Sequence, residues 1–392
     1  MDIGEKRLKI IHIADWHPSR ENPTGGIFAR EHIRTSALYE DVCVLVTGDG
    51  AKLKVFSPLF KLIPEDYEDG IPTFRLFHKK LPTGLLSYLI YTKCTILAFE
   101  RLLKEGIRAD IIHAHEFNAG VPAVMIGRKW GIPVVISEHW SGFATGKLNR
   151  VKFIKARYAF EKADVVCPVS ENLRKHIEKA GIKASFRVIP NAVDVSLFHP
   201  SEPPRARGGR KALLCVAQLT PIKGIPYLFE ALLLLRKKRD DLTLHIVGDG
   251  PNRKEYEEMV KSLGLNEVVR FYGLQPKKKV AEFMRQADLF VLPSLWENLP
   301  CVLIEAMASG LPIVSTNVGG IPEIVDEETG VLVPPKNPEK LSEAINYVLD
   351  NLENFPAEKT VKRARERYSY EAVGKVFSDL YREIISGRND RK

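Results

Sequence analysis

Two glutamates, Glu297 and Glu305, lie eight positions apart in the stretch SLWENLPCVLIEAMASG. Glu297 follows the apolar run LFVLPS, and Pro300, at the predicted first helical position, starts a helix that carries Glu305 in its second turn. Carboxylates accept hydrogen bonds from neighbouring sugar hydroxyls, and the free N–H groups at a helix start suit a diphosphate. The segment could therefore hold a sugar, a diphosphate and a ribose. Two unrelated surface glutamates beside a core helix would show the same spacing.

Further candidates follow other predicted strands. Lys223, in VAQLTPIKGIPYLFEAL, could meet the charge that grows on a leaving diphosphate. His139 ends the run IPVVISEH, while Gly25 and Gly26 open a helix in GGIFAREH, where small residues let the backbone approach a phosphate or sugar. Each also has an ordinary interpretation: a solvated lysine, a structural histidine and a plain strand-to-helix turn.

Short β-branched runs separated by helical stretches must position these residues, and that alternation is typical of parallel sheets covered by helices. The predicted strands span residues 8–15, 41–48, 110–116, 132–139, 164–170 and 187–191, then 211–219, 242–250, 268–273, 289–294, 311–317 and 329–334. Open α/β sheets bind ligands at the carboxyl ends of their strands. We therefore expect function in the loops that follow strands.

The length of 392 residues is sufficient for two hydrophobic cores. Segment 199–210 is rich in Pro, Gly and Arg and is a linker by composition, which predicts one domain at 1–200 and another at 201–368. A tail that is helical in pattern, at about 369–387, is expected to pack back on the first domain. The predicted fold class is α/β, with two Rossmann-like doubly wound parallel sheets.

The composition excludes several classes of protein. With 45% hydrophobic and 27% charged residues it is an ordinary globular chain, and no apolar run reaches the roughly 18 to 20 residues that cross a bilayer. The apolar run near the N-terminus is short and lacks a cleavage site, so it is interpreted as a first strand. Five cysteines are scattered without the spacing of a metal or redox pair, which favours buried thiols in a reducing cytoplasm.

The net charge of +9 is concentrated in the first half, where 29 Lys and Arg face 22 Asp and Glu, against 29 and 27 in residues 201–392. Between Lys147 and Lys162, apolar residues recur at helical spacing among basic ones, and segment 78–91 adds basic and apolar residues. Such a helix could rest on anionic lipid. The same stripe could equally dock an ordinary helix on the domain, and both interpretations stay open.

Four more segments complete a pattern: STNVGGIPEIV (315–325), the lysine-bearing segment above, HIVGDGP (245–251) and VIPNAVDVSLFHP (188–200). Together with the glutamate pair they resemble the family-4 retaining glycosyltransferases of the GT-B fold, over the whole chain and most strongly from 188 to 335. The resemblance implies two Rossmann-like domains facing across a cleft. The N-terminal domain would bind the acceptor and the C-terminal domain the nucleotide-sugar donor.

The resemblance also implies roles for individual residues. Glu305 corresponds to the glutamate that binds the nucleotide's ribose, Glu297 to the one that holds the donor sugar, and Lys223 to the lysine on the diphosphate. His139 resembles the histidine that contacts the donor sugar, so the implied catalytic residues are His139, Glu297 and Lys223. The implied substrate-binding residues are Gly25, Gly26, Asn191, Gln218, Gly250, Leu274, Asn298, Leu299, Pro300, Cys301 and Glu305.

Two positions depart from the family pattern. Gln218 stands where an arginine commonly helps the lysine on the diphosphate, so diphosphate binding would depend more on Lys223. ENLP replaces the usual EGFG after the first glutamate, so Asn298 brings a side chain and Pro300 removes a backbone donor. The main-chain contacts of Leu299 and Cys301 with the donor sugar are correspondingly less defined.

The implied reaction transfers a hexose-type sugar from a UDP- or GDP-sugar to a hydroxyl of a glycan or lipid-linked acceptor, with retention of anomeric configuration. The chain has no Asp-x-Asp, and we expect neither a metal nor a cofactor. We expect a cytoplasmic location, peripheral at the membrane if the helix from Lys147 to Lys162 touches lipid, and no nucleic-acid partner. Two alternatives stay open on the same fold: a nucleotide-sugar epimerase or hydrolase, and a non-catalytic sugar-nucleotide binding protein. An oxidoreductase lacks its GxGxxG fingerprint here.

Overall fold

A computed structural model describes residues 6–19, 22, 25–47, 60–65, 70–79, 84–202 and 209–389. The chain forms two compact units, Met1–Ala192 with Tyr370–Lys392, and Val193–Ser369. The sequence-based division stood at 200/201 and 368/369. Residues 203–208 of the predicted linker and 80–83 of the basic segment lie outside the described residues.

The first unit is built on a seven-stranded sheet with strand order β3-β4-β2-β1-β5-β6-β7. Its strands are β1 Lys9–Ala14, β2 Asp41–Val46, β3 Phe60–Glu65, β4 Thr73–His78, β5 Ile111–His115, β6 Val134–Glu138 and β7 Val165–Pro168. Its first helices are α1 Ile27–Tyr39, α2 Gly84–Lys104, α3 Glu116–Trp130, α4 Arg150–Lys162 and α5 Glu171–Lys179. All described strand pairs are parallel except β3 with β4, which is antiparallel.

The prediction of a strand at 187–191 is wrong. Arg187 N–H donates to Val166 O at 3.0 Å and Ile189 N–H to Pro168 O at 3.1 Å, so the segment runs beside β7. Pro190 has no N–H to continue a ladder, and no strand forms there. The hairpin of β3 and β4 was not predicted, because Lys61, Pro64 and Glu65 interrupt its apolar pattern, as is usual for an edge strand.

The second unit has a six-stranded, all-parallel sheet with order β10-β9-β8-β11-β12-β13. Its strands are β8 Lys211–Val216, β9 Leu242–Val247, β10 Val269–Phe271, β11 Leu289–Leu292, β12 Ile313–Thr316 and β13 Gly330–Val333. Its helices are α6 Ile225–Leu235, α7 Arg253–Ser262, α8 Lys277–Gln286, α9 Cys301–Ala308, α10 Pro338–Asp350 and α11 Ala357–Tyr368. The predicted class of two parallel-sheet α/β domains is confirmed.

Each sheet has a switch point, the place where successive strands begin to be added on the opposite side. It lies between β1 and β5 in the first unit and between β8 and β11 in the second. The loops that leave neighbouring strands there diverge and leave a crevice at the carboxyl edge. Ligand sites are therefore expected at these two places.

The last helix, α12 (Tyr370–Asn389), follows the second unit in the chain but belongs to the first. Its Val373 and Phe377 pack with Ile10 and Ile111 of the central strands. The Tyr381 hydroxyl lies 2.6 Å from His113 Nδ1 and 3.2 Å from Ser36 Oγ. The helix thus completes the core of the first unit.

Helix α4 exposes apolar side chains on its outer face. Val151 and Ile154 are 54% and 56% exposed, whereas Ala156, Ala159 and Phe160 are buried. The docking interpretation of the predicted stripe is therefore wrong for these two residues, because the helix packs through its other face. In the part of the chain that the structure describes, no helix is both long and apolar enough to cross a membrane.

Candidate functional site

The switch point of the second sheet carries a lysine and a glutamate in contact. Lys223 closes the short 3₁₀ turn Pro221–Lys223 after β8, and Glu297 lies in the loop after β11. The Lys223 ammonium donates to Glu297 Oε1 at 2.6 Å, and the Ser294 hydroxyl donates to the same oxygen at 2.7 Å. Glu297 is buried and Lys223 half-buried, so a positive and a negative charge meet in a partly dry crevice.

A glycine after β12 holds the Glu297 loop in place. Gly319 has φ of 55°, and a Cβ there would lie 1.7 Å from the Glu297 carbonyl oxygen. The next residue, Gly320, donates its N–H to that same oxygen at 3.2 Å. The Gly-Gly of STNVGGIPEIV therefore lets two loops touch through their backbones, which only a residue without a side chain permits.

Glu305 lies in the second turn of α9, as predicted. The helix begins at Cys301 rather than Pro300, because Pro300 has an extended ψ of 114° and stands just before the first turn. Glu305 is buried and accepts a hydrogen bond from the Lys277 ammonium at 2.9 Å. A second lysine–glutamate pair thus lies at this carboxyl edge.

Sequence reasoning missed Lys277. It is the first of three lysines, 277–279, at the start of α8. Positive side chains are unfavourable beside the positive end of a helix dipole. A run of lysines at a helix start therefore indicates that an anionic group lies nearby. Here the Glu305 carboxylate is such a group.

The remaining predicted residues of the second unit follow the same strand ends. Gln218 lies exposed after β8, Gly250 follows β9, and Leu274 lies after β10 with its side chain exposed. Asn298, Leu299 and Cys301 connect the Glu297 loop to α9. The side chains of Leu299 and Pro300 are buried. The donor-binding roles of these residues stay predictions.

In the first unit, His139 follows β6 in a loop fixed by a buried carboxylate. Glu138 accepts hydrogen bonds from the backbone N–H groups of Phe117, His139 and Trp140 at 2.7 to 3.0 Å. Burial holds the pKa of His139 well below its ordinary value, and the Asn191 side chain opposes that shift. The net shift favours the neutral imidazole. Glu138 was not singled out, although a carboxylate at a strand end before a turn is a recognisable sign of such a loop.

The predicted glycine pair stands at the start of α1. Gly26 has φ of 70°, and a Cβ there would lie 2.2 Å from the Trp16 carbonyl carbon. At Gly25, a Cβ would meet the Asn22 side chain at 2.4 Å. These contacts within the first unit require Gly26 whether or not a ligand binds nearby.

Buried histidines form the only groups of metal-type ligands that the described residues bring together. Two triads place their ring nitrogens within 4.8 Å of one another: His12, His113 and His115, and His32, His115 and His139. His12 Nδ1 lies 3.0 Å from His115 Nε2, while His113 bonds Tyr381 and Ser137 through its two nitrogens. The first triad is therefore a hydrogen-bonded network within the core.

Comparison with known proteins decides the family. Residues 201–367 match the family described as glycosyl transferases group 1, and residues 45–197 match glycosyltransferase family 4. The chain belongs to the family-4 glycosyltransferases. The match covers both units of this glycosyltransferase.

Individual relatives agree with this. The glycosyltransferase is 27% identical to TuaC of Bacillus subtilis, assigned to teichuronic acid biosynthesis, over 96% of its own length and 94% of that protein. It is also 27% identical to the alpha-D-kanosaminyltransferase of Streptomyces kanamyceticus, over 90% of its length and 99% of that enzyme. Among solved structures, Anabaena HepE in complex with UDP is similar with a TM-score of 0.77 at 20% identity, covering 96% and 100% of the two chains. The likeness to HepE shows that the glycosyltransferase has the GT-B fold.

Proposed function

We propose that this glycosyltransferase moves a hexose-type sugar from a UDP- or GDP-sugar to a hydroxyl of a glycan or lipid-linked acceptor, with retention of anomeric configuration. The contact between Lys223 and Glu297 carries the proposal, because it places the two charges that such a donor needs at the switch point of one sheet. HepE, which shares the fold, has been solved with UDP, with UDP and glucose, and with UDP-glucose. TuaC supports an acceptor of the polysaccharide type.

In this proposal Lys223 and Glu297 bind different parts of the donor. The Lys223 ammonium neutralises the diphosphate, whose charge grows as the glycosidic bond breaks, so its stabilisation is larger in the transition state than in the bound donor. Glu297 accepts hydrogen bonds from hydroxyls of the donor sugar. Ser294 and Lys223 fix one carboxylate oxygen, which orients the other toward the sugar.

Glu305 binds the ribose in this proposal. Its carboxylate is buried on a helix and held by Lys277, so it is already oriented for the two neighbouring ribose hydroxyls. Lys277 also adds a positive charge on the nucleotide side of the site. We propose that Glu305 and Lys277 contribute mainly to the affinity for the donor, whereas Lys223 and Glu297 contribute mainly to turnover.

Retention requires no side-chain nucleophile in the proposed route. The departing diphosphate oxygen takes the proton of the acceptor hydroxyl on the same face of the sugar from which it leaves. His139, neutral because it is buried, can exchange hydrogen bonds with a donor-sugar hydroxyl without adding charge. Lys223 and the N–H groups at the start of α9 neutralise the diphosphate without a metal in this proposal.

The proposed membrane contact involves two helices of the first unit. Exposed Leu85 and Leu89 of α2 and exposed Val151 and Ile154 of α4 face outward among basic residues. The side chain of Lys155 on α4 lies 3.9 Å over the Tyr88 ring of α2, which makes the two helices neighbours. An apolar face with a basic rim suits the surface of an anionic bilayer, and a lipid-linked acceptor would reside there.

A screen of thermal stabilisation by UDP-, GDP- and ADP-sugars tests the donor. A ligand that binds only the folded protein raises its melting temperature. We expect one nucleotide class to respond, and the absence of any response would overturn the proposal. NMR of the product, with and without acceptor and with a chelator, then separates transfer from hydrolysis or epimerisation. An inverted product or a covalent sugar on a side chain would refute the retaining route.

A further inference from the structure

The switch point of the first sheet also carries charged side chains. Asp15 comes directly after β1, and Glu116, the first residue of α3, comes directly after β5. These two strands are neighbours whose connections leave in opposite directions, so their carboxyl ends border a crevice of the kind that binds ligands in doubly wound sheets. Neither residue has a part in donor binding as proposed above.

The carboxyl of Glu116 has no partner of opposite charge among the residues that the structure describes. Glu116 is 8% exposed, and no hydrogen-bond donor or cation among the described residues contacts its side chain. The charges that act on it are those of Glu138 and Asp15, and burial together with them raises the pKa of Glu116 well above its ordinary value. Neither Glu116 oxygen is among the fully buried unpaired polar atoms, so the carboxyl reaches solvent. A ligand in the crevice could therefore donate hydrogen bonds to it.

The backbone of Glu116 is strained as well. Its φ is 67°, in the left-handed region that is unfavourable for residues with a Cβ. The other described non-glycine residue with positive φ, Lys336, lies in an exposed turn (φ 58°). Glycine would fit position 116 without strain, and strain of this kind in a buried place concentrates at functional sites.

The surroundings offer the chemistry that recognises carbohydrate. Asp15 accepts hydrogen bonds from the Tyr91 hydroxyl and, at 2.8 Å, from the Thr47 hydroxyl. The Lys155 ammonium donates to Asn118 Oδ1 at 2.7 Å and lies over the Tyr88 ring, close enough to Asp15 to act on its charge. That ammonium disfavours a metal ion beside Asp15. Carboxyls, an amide and an ammonium instead suit a neutral ligand with many hydroxyls.

We propose that Asp15 and Glu116, with Lys155, form the subsite that recognises the terminal sugar of the acceptor. Two neighbouring hydroxyls of that sugar donate to the two carboxyl groups beside the Lys155 ammonium. The inference deepens the proposed function, because it rests on the acceptor being a glycan. It assigns acceptor specificity to the switch point of the first unit.

The test uses the full-length protein and simple probes, methyl α-D-glucopyranoside, methyl α-D-mannopyranoside and methyl α-D-galactopyranoside, in saturation-transfer NMR. We expect at least one glycoside to bind the unchanged protein, with its signal at least five-fold weaker in Asp15→Asn and in Glu116→Gln. Glu105→Gln, in the exposed turn directly after α2, is the matched control and keeps the signal. No binding by any probe, or equal binding in all variants, overturns the inference.

A second variant separates recognition from a structural role. Glu116→Gly removes both the strained Cβ and the buried carboxyl, so we expect a higher melting temperature together with loss of glycoside binding. A lower melting temperature would show that Glu116 supports the fold and would overturn the inference. Stabilisation by UDP or GDP is measured in parallel. If a nucleotide stabilises the unchanged protein and no glycoside binds, only this inference fails, whereas failure of every nucleotide refutes the proposed function.

Discussion

The two switch points have the same topology and opposite electrostatics. In the second unit, Lys223 and Glu297 meet at 2.6 Å and neutralise each other. In the first unit, Asp15 acts on Glu116 as a like charge, and Lys155 lies close enough to Asp15 to interact with it. The parallel sheet fixes where a ligand can bind, whereas the residue that follows each strand decides which ligand. A cation–anion pair suits a charged donor with hydroxyls, and paired carboxyls suit hydroxyls alone.

The two units also differ in the burial of their histidines. Six histidines of the first unit have a pKa lowered by burial: His12, His17, His32, His113, His115 and His139. The pKa of His12 falls to about 3, and those of His17 and His32 to about 4. The two histidines of the second unit, His199 and His245, are only half-buried. The first unit therefore keeps a neutral, acid-sensitive core.

The largest effect is expected from a substitution that breaks the Lys223–Glu297 charge pair of the second unit. Lys223→Met keeps the length of the side chain and removes its charge, so we expect turnover to fall by about 10²- to 10³-fold, the range for loss of one preorganised group at a developing charge. Turnover of the donor found in the thermal screen measures it. Lys340→Met, in an exposed pair with Glu343 on α10, is the control. Turnover within three-fold of the unchanged enzyme would contradict the assigned role.

The next effect is an acid weakness confined to the first unit. Unfolded histidines bind protons near pH 6.5 and the buried ones do not, so they remove stability as the pH falls from 6.5 toward 4. Asp15, Glu116 and Glu138 oppose this, because a raised folded-state pKa adds stability as the pH falls. The six histidines outnumber the three carboxyls, and we expect the first unit to be less stable at pH 5 than at pH 7.

Hydrogen exchange measured peptide by peptide, at graded urea and corrected for the intrinsic effect of pH, checks that difference. We expect peptides of β1 and β5 to lose protection at pH 5 before those of β8 and β11. The second unit serves as the internal control. Equal losses in both units, or none, would show that the histidine core does not govern the acid response.

A smaller effect concerns the second lysine–glutamate pair. Glu305→Ala removes the proposed ribose acceptor and leaves Lys277 without its carboxylate, so we expect nucleotide affinity to fall by about 10- to 30-fold, or about 1.4–2 kcal/mol. Turnover at saturating donor should change little. Calorimetric titration with the nucleotide checks the affinity, with Glu343→Ala as control. Unchanged affinity with reduced turnover would contradict this assignment and would indicate that Glu305 has the role assigned to Glu297.

The smallest effect adds charge to the second unit. Gln218→Arg places a guanidinium after β8, at the position where the family commonly has arginine, and we expect nucleotide-diphosphate binding to tighten by about 2- to 5-fold. The gain should shrink at high salt, because Gln218 is exposed. The same titration at two ionic strengths measures it. Weaker binding at low salt would show that this edge of the sheet does not face the diphosphate.

The sequence predicted the parts of the fold that depend on short-range patterns. The continuous apolar runs of buried parallel strands and the position of Glu305 in α9 are of this kind. Strand β3 was not predicted, because this edge strand contains Pro64 and lacks a continuous apolar run. The segment around Pro190 was wrongly predicted to be a strand. Its apolar residues fit a strand, but Pro190 has no N–H to donate to a neighbouring strand.

The candidate site divides in the same way. Residues that follow strands could be predicted, since the sheet brings their ends together. The pairing of Lys277 with Glu305, 28 positions away, depends on how two helices pack, and no local pattern contains it. Likewise, α4 could bury either face by its pattern, and only packing against the unit decided that Val151 and Ile154 stay exposed.

The place of α12 in the chain has a consequence for synthesis. The ribosome makes strands β1 to β7 first, yet the helix that covers Ile10 and Ile111 emerges only after the whole of the second unit. At about 5–20 residues per second, the 177 residues from Val193 to Ser369 take on the order of ten seconds or more. During that interval the nascent first unit exposes apolar surface that chaperones recognise. The second unit, contiguous in the chain, can complete its core first.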